Sequence, residues 1–186
     1  MAKKTTTAAS PACTSSPLAS LRSNPIFHLS LSSKELFHSN FLVWLADYQT
    51  ALFNEILEHC FDCKTFKYNS AKYVALREYK NFDFCICEKV RKPEDKKNDE
   101  NPEDTYDIGC IVFVLENKCK SIPYKAQLDE YKAKVKEHND GWGKGKKADR
   151  RKSEGFTSLV ECHFVLFHLV EKFAEKTAIE KEWTCV

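Results

Sequence analysis

The chain has 186 residues, 42% hydrophobic and 12% aromatic, a composition that suits one globular domain and excludes a disordered or fibrous chain. Its net charge of +2 names no partner, and no run approaches the roughly 18 apolar residues of a membrane span. The opening stretch MAKKTTTAASPACTSS lacks the apolar centre of a secretory signal, and the nine cysteines read as reduced thiols in a cytoplasm rather than as a disulfide scaffold.

Residues 1–24 are rich in Ser, Thr, Ala and Pro without periodicity, which predicts a disordered tail ahead of a single domain over residues 25–186. Ser32-Ser33-Lys34-Glu35 fits a capping box with Ser32 as N-cap. Apolar residues then recur every three or four positions from Phe37 to Leu57. This predicts one long amphipathic helix, or two broken near Gln49-Thr50. His38 and Ser39 read as helix-surface or packing residues.

From Tyr73 the pattern turns to strands. Tyr73–Tyr79 mixes β-branched and aromatic residues with polar ones, and Lys80-Asn81 suits a tight turn. Phe82–Glu88 alternates, with Phe82, Phe84 and Ile86 on one face and Asp83, Cys85 and Cys87 on the other. Residues 89–107 carry charges of both signs and two prolines, as a solvated loop does. Ile108–Leu115 is nearly all apolar, as in a strand buried on both faces. A second helix opens at Ser121-Ile122-Pro123 and aligns Tyr124, Gln127, Leu128, Tyr131 and Val135. Residues 139–155 read as a Gly-rich basic loop, Glu161–Val170 as a buried strand, and Trp183–Val186 as the start of another.

The chemistry concentrates after the buried strand. Period two puts Glu116 and Lys118 on one face. A carboxylate metal ligand beside a fixed cation suits phosphodiester hydrolysis, and Mg²⁺ (or Mn²⁺), which keeps several waters, needs few protein oxygens. A second carboxylate is required. Asp107 lies nine residues before Glu116 on the same strand, about 30 Å away at ~3.3 Å per residue. Asp83 opens the preceding strand, so an antiparallel hairpin brings it beside Glu116, with about 4.8 Å between strands. Geometry selects Asp83. Cys60 and Cys63 lack the second pair that a structural zinc needs.

Asp83 at a strand start, Glu116-Asn117-Lys118, and Gln127-x-x-x-Tyr131 on the next helix together resemble the PD-(D/E)xK nuclease superfamily. The Gln-x-x-x-Tyr element is similar to that of its RecB-like branch. Glu35-Leu36-Phe37-His38-Ser39 and Arg77-Glu78-Tyr79 extend the likeness to a largely uncharacterised bacterial branch. It spans about residues 24–170. It departs at Asn81-Phe82, where the superfamily commonly has Pro before Asp, and at Val186, where further C-terminal helices are expected and truncation stays open.

The resemblance implies an α/β fold with an αβββαβ core, a mixed central sheet flanked by helices. It implies metal ligation by Asp83 and Glu116, Lys118 as catalytic lysine, and Gln127 and Tyr131 lining the substrate side. Glu35 either reaches the metal from the first helix or only caps it. Glu78 is either a further acidic member or a strand-end charge. DNA, rather than RNA, as substrate rests on the family alone. Residues 118–152 hold 12 Lys and Arg against 5 Asp and Glu, a local +7 that leaves −5 elsewhere. Lys144, Lys146, Lys147, Arg150, Arg151 and Lys152 are therefore candidate phosphate-backbone contacts. The rival expectation is a catalytically inactive nuclease-fold module that binds nucleic acid or a protein partner in a defence or repair system.

Overall fold

The computed structural model describes residues 37–93, 105–118, 124–157, 161–168 and 179–186. Helix α1 (Phe37–Tyr48) and helix α2 (Thr50–His59) are separated at Gln49, whose ψ of 50° leaves the helical region. This is the expected break. Leu42, Leu45, Ala46, Phe53 and Leu57 line the buried side of the pair. Strand β1 (Tyr73–Arg77) leads through a 3-10 turn (Tyr79–Asn81) to β2 (Phe84–Arg91). Then follow β3 (Tyr106–Lys118), α3 (Lys125–Trp142), α4 (Gly145–Ser153), β4 (His163–His168) and β5 (Thr184–Cys185).

The five strands form one sheet in the order β1-β2-β3-β4-β5. β1, β2 and β3 pair antiparallel; β3–β4 and β4–β5 are parallel. The protein is thus α/β with a mixed sheet. The α1–α2 pair covers one face through Phe53, Phe84, Ile86, Phe113 and Leu115. Helix α3 covers the other with Leu128, Tyr131 and Val135 against Cys85, Cys87, Ile111 and Val114. The chain leaves β3, crosses through α3 and α4, and returns in β4 parallel to β3, as a helical crossover allows. Among the described residues no helix is long and apolar enough to cross a membrane.

Three expectations change. Phe82 does not share a face with Phe84. The strand begins at Phe84, and Phe82 leaves the 3-10 turn to pack edge-on against Tyr131, centroids 5.4 Å apart. The segment 89–107 is not all loop, because β2 runs to Arg91 and β3 starts at Tyr106, with residues 94–104 outside the described set. Val90 accounts for the longer hairpin: it is buried with Cys110, Trp142 and Phe156. Nor are residues 139–155 a loop. They finish α3 and form α4, joined around Gly143 and Gly145, the latter at φ +55°. The expected caps Ser32 and Ser121 fall outside the described residues.

Helix α4 has almost no apolar stripe, and an ion pair anchors it. Arg151 donates from Nε to Glu88 Oε2 at 2.6 Å and from an Nη to Oε1 at 2.7 Å, with both side chains buried, 4% and 0% exposed. The Cys110 N–H adds a bond to Glu88 Oε2 at 3.1 Å. The pairing of β2 with β3 is irregular on either side of Cys87, and Glu88 falls within the second irregular step. Gly109 leaves room there, since a Cβ would stand 2.9 Å from Glu88 Cβ and 2.8 Å from Val90 Cγ2. Breaking one side of a buried pair strands a charge. Arg151→Leu should therefore lose about 3–5 kcal/mol in urea unfolding, and the double change Glu88→Met, Arg151→Leu should recover most of it.

Candidate active site

The β2–β3 register builds the site. Phe84 pairs with Leu115, so the residue preceding β2 lies beside the residue following Leu115: Asp83 beside Glu116. The backbone N–H of Asn117 donates to Asp83 Oδ2 at 2.7 Å. Glu116 lies on the α3 face and is 2% exposed. Its Oε1 accepts from Lys118 Nζ at 2.6 Å and from the Tyr131 hydroxyl at 3.3 Å. Gln127 Nε2 in turn donates to the Tyr131 oxygen at 3.0 Å. One turn of α3 separates these last two, which is why a four-residue spacing lets one orient the other.

Burial, reinforced by the charge of Asp83, raises the Glu116 carboxyl from 4.5 to about 7, against the opposing pull of Lys118 and Tyr131. Burial also raises Asp83, opposed by the Asn117 N–H and by Lys118, while the charge of Glu78 pushes it further up. Burial and Glu116 lift the Tyr131 phenol to about 12, so it stays a donor at neutral pH.

Two neighbouring carboxylates resist joint ionisation, and Glu116 Oε2 is buried without a hydrogen-bond partner. Oxygen donors of this kind fit a hard divalent cation. Among the described residues no group of three or more His, Cys, Asp or Glu side chains converges. A carboxylate pair by itself would leave most of a Mg²⁺ coordination sphere to water.

The sequence-selected residues divide clearly. Asp83, Glu116, Lys118, Gln127 and Tyr131 come together. Glu78 is exposed at φ 52° in the turn before Asp83, near enough for its charge to act on that carboxyl. Glu35 lies outside the described residues. Asp107 sits at the far end of the hairpin, paired with Val90 and bound by Arg150 at 2.8 Å.

The basic set requires correction. Arg151 is buried in its pair with Glu88 and offers nothing to a phosphate. Arg150 is engaged by Asp107 and by the Arg91 carbonyl. Lys144, Lys146, Lys147 and Lys152 are exposed, with Lys147 5.1 Å over the Trp142 ring. They belong to the far end of the hairpin, about 25 Å along β2 from Asp83 at ~3.3 Å per residue.

Asn117 stands inside the motif, yet the motif chemistry alone assigns it no role. Its signal is a polar residue whose strand parity puts it with Phe113 and Leu115, on the face opposite Glu116.

No protein-family model matches the chain, and no curated protein or solved structure matches it either.

The Glu116 shift has a sign. Between 4.5 and about 7 the folded state binds more protons than the unfolded chain. The stability it contributes is fully present below the lower value and is lost as pH rises through the upper one. In metal-free buffer, Glu116→Gln should therefore resist urea better than wild type near neutral pH and above. The gap should close as the solution is acidified towards 4.5.

Proposed function

We propose that the protein is a divalent-metal-dependent nuclease that hydrolyses DNA phosphodiester bonds. The observation that carries this reading is Glu116: a buried carboxylate beside Asp83, gripped on one oxygen by Lys118 and bare on the other. The mixed sheet flanked by helices is compatible with the αβββαβ core of the PD-(D/E)xK superfamily, whose motif residues the sequence resembles.

Asp83 and Glu116 would hold the cation, Mg²⁺ or Mn²⁺. Bound there, it would supply Lewis acidity at the scissile phosphate and a water of lowered pKa. Lys118 favours the charged form of Glu116, against burial and Asp83, and presents an ammonium where negative charge accumulates on the phosphate. Tyr131, oriented by Gln127, holds Glu116 through Oε1. Asn117 N–H holds Asp83 in the orientation that faces Glu116. The exposed lysines of α4 suit a phosphate backbone. Because they lie about 25 Å along β2 from the carboxylates, one duplex touching both must span about seven or eight base pairs or more.

The deciding experiment incubates the protein with single-stranded, duplex and supercoiled DNA in Mg²⁺, Mn²⁺ or EDTA. Cleavage should require metal. Lys118→Ala should lower kcat about 100-fold or more with little change in DNA affinity. Glu116→Gln should raise the metal concentration for half-maximal activity, and excess metal should partly restore it. Asp107→Asn should cut like wild type. DNA binding without cleavage under every condition would make the chain a binding module instead.

A further prediction concerns salt. Reversing the charge of Lys144, Lys146, Lys147 and Lys152 should flatten the dependence of log affinity on log salt. The slope should fall by about 0.9 for each duplex phosphate that the protein no longer neutralises. The same reversal at Arg150 or Arg151 should act through stability, measured by melting, because both are tied to acidic partners.

A further inference from the structure

We propose that His38 is a positioning residue for Asp83 and acts through Asn117; the inference rests on reading Asp83 and Glu116 as a metal-holding pair. Asn117 is bound on two sides. Its backbone N–H donates to Asp83 Oδ2 at 2.7 Å, and its side-chain amide nitrogen lies 2.9 Å from His38 Nδ1. With the amide as donor, the ring accepts at Nδ1 and carries its proton on Nε2. The imidazole is held in turn by Phe167 and Phe37, at centroid distances of 5.1 and 5.5 Å.

The geometry makes this a link across the sheet. Glu116 and Lys118 point towards α3, whereas the Asn117 side chain points towards α1. His38 thus reaches the carboxylate pair through the residue between Glu116 and Lys118. Such a tether matters at this place, one residue from the end of β3, because strand ends open most readily.

A second tie from the same helix turn supports the assignment. The Arg77 guanidinium donates to Asn40 Oδ1, and Asn40 is buried. Arg77 ends β1 and leads into a turn with positive φ at Glu78, Lys80 and Asn81, which delivers the chain to Asp83. Strand β2 lies between β1 and β3. The start of α1 therefore grips both neighbours of β2 at the level of Asp83. Partners that orient metal-holding groups from outside are commonly worth about 10-fold or more in metal affinity.

The test uses the full chain and Mn²⁺, with free metal followed by electron paramagnetic resonance. His38→Phe keeps a ring against Phe167 but removes Nδ1; Asn117→Ala removes the amide but keeps the backbone N–H. Both should raise half-saturating Mn²⁺ about tenfold. His38→Asn, whose side-chain oxygen can accept in place of Nδ1, should restore most of the affinity. Ser39→Ala, which removes a buried hydroxyl without a hydrogen-bond partner among the described residues, should bind as wild type. On DNA, kcat should fall with KM unchanged. Wild-type affinity in folded His38→Phe or Asn117→Ala overturns the inference, while loss of binding in Glu116→Gln keeps the metal-holding reading in place. Weakening in His38→Phe that His38→Asn does not relieve also overturns it, because the ring would then act by packing alone. Failure of the wild type to bind Mn²⁺ overturns the underlying reading itself. Should one variant not fold by circular dichroism, the other decides.

Discussion

Everything at the carboxylate pair depends on the antiparallel register of β2 against β3. Phe84 opposite Leu115 makes Asp83 the neighbour of Glu116. A slip of one residue would turn Glu116 and Lys118 towards the α1–α2 core and bring Leu115 and Asn117 to their place. Apolar alternation alone holds such a register weakly here, because Cys110–Leu115 is apolar on both faces. The specificity comes from polar locks further along. Glu88 occupies the irregular stretch, bound by Arg151 and by Cys110 N–H. Asn139 donates to the Ile111 carbonyl and accepts from its N–H, as a paired strand would. His138 meets the Gly109 carbonyl at 2.7 Å. These side chains from α3 and α4 bond the sheet at Glu88, Gly109 and Ile111.

The other end of the hairpin is built with the opposite economy. The turn into Asp83 has three non-glycine residues at positive φ, a conformation that costs of order 1 kcal/mol or more at each. Beyond it, the buried carboxylate of Glu116 lies beside the partly buried one of Asp83, each raised by burial. Neither feature stabilises the fold. Both are tolerated because the surrounding strands are fixed elsewhere, by the α1–α2 core on one face and α3 on the other.

Much of this was legible in the sequence. The period-two and period-four patterns marked the strands, the α1–α2 break at Gln49 and the Gln127–Tyr131 pairing. Strand length was enough to reject Asp107 and to select Asp83. What stayed hidden was held by polar rather than apolar contacts. Helix α4 has no apolar stripe, so its lysines and glycines looked like a loop; its anchor is one arginine whose partner, Glu88, lies 63 residues earlier. The same anchor removed Arg151 from the basic set, since a lone Arg in a charge run carries no mark of burial. Phe82 broke its alternation because the turn, not the strand, sets its direction. Asn117 and His38 are 79 residues apart, and nothing local couples them.

Two buried glutamates on this hairpin differ in how their oxygens are partnered. Glu88 has both oxygens bonded, one to an Arg151 Nη and the other to Arg151 Nε and a backbone N–H. Its charge is matched by a guanidinium that shares its burial, and removing either group leaves the other stranded. Glu116 has Lys118 and Tyr131 on one oxygen and, among the described residues, no hydrogen-bond donor on the other, with Asp83 beside it. A site selected for stability alone would replace Asp83, whose charge raises the cost of burying Glu116, or would supply a donor to the bare oxygen. The unsatisfied oxygen is the feature on which the proposed cation site rests. The two glutamates lie on adjacent strands of a single hairpin, and the difference between them follows from their partners rather than from their burial.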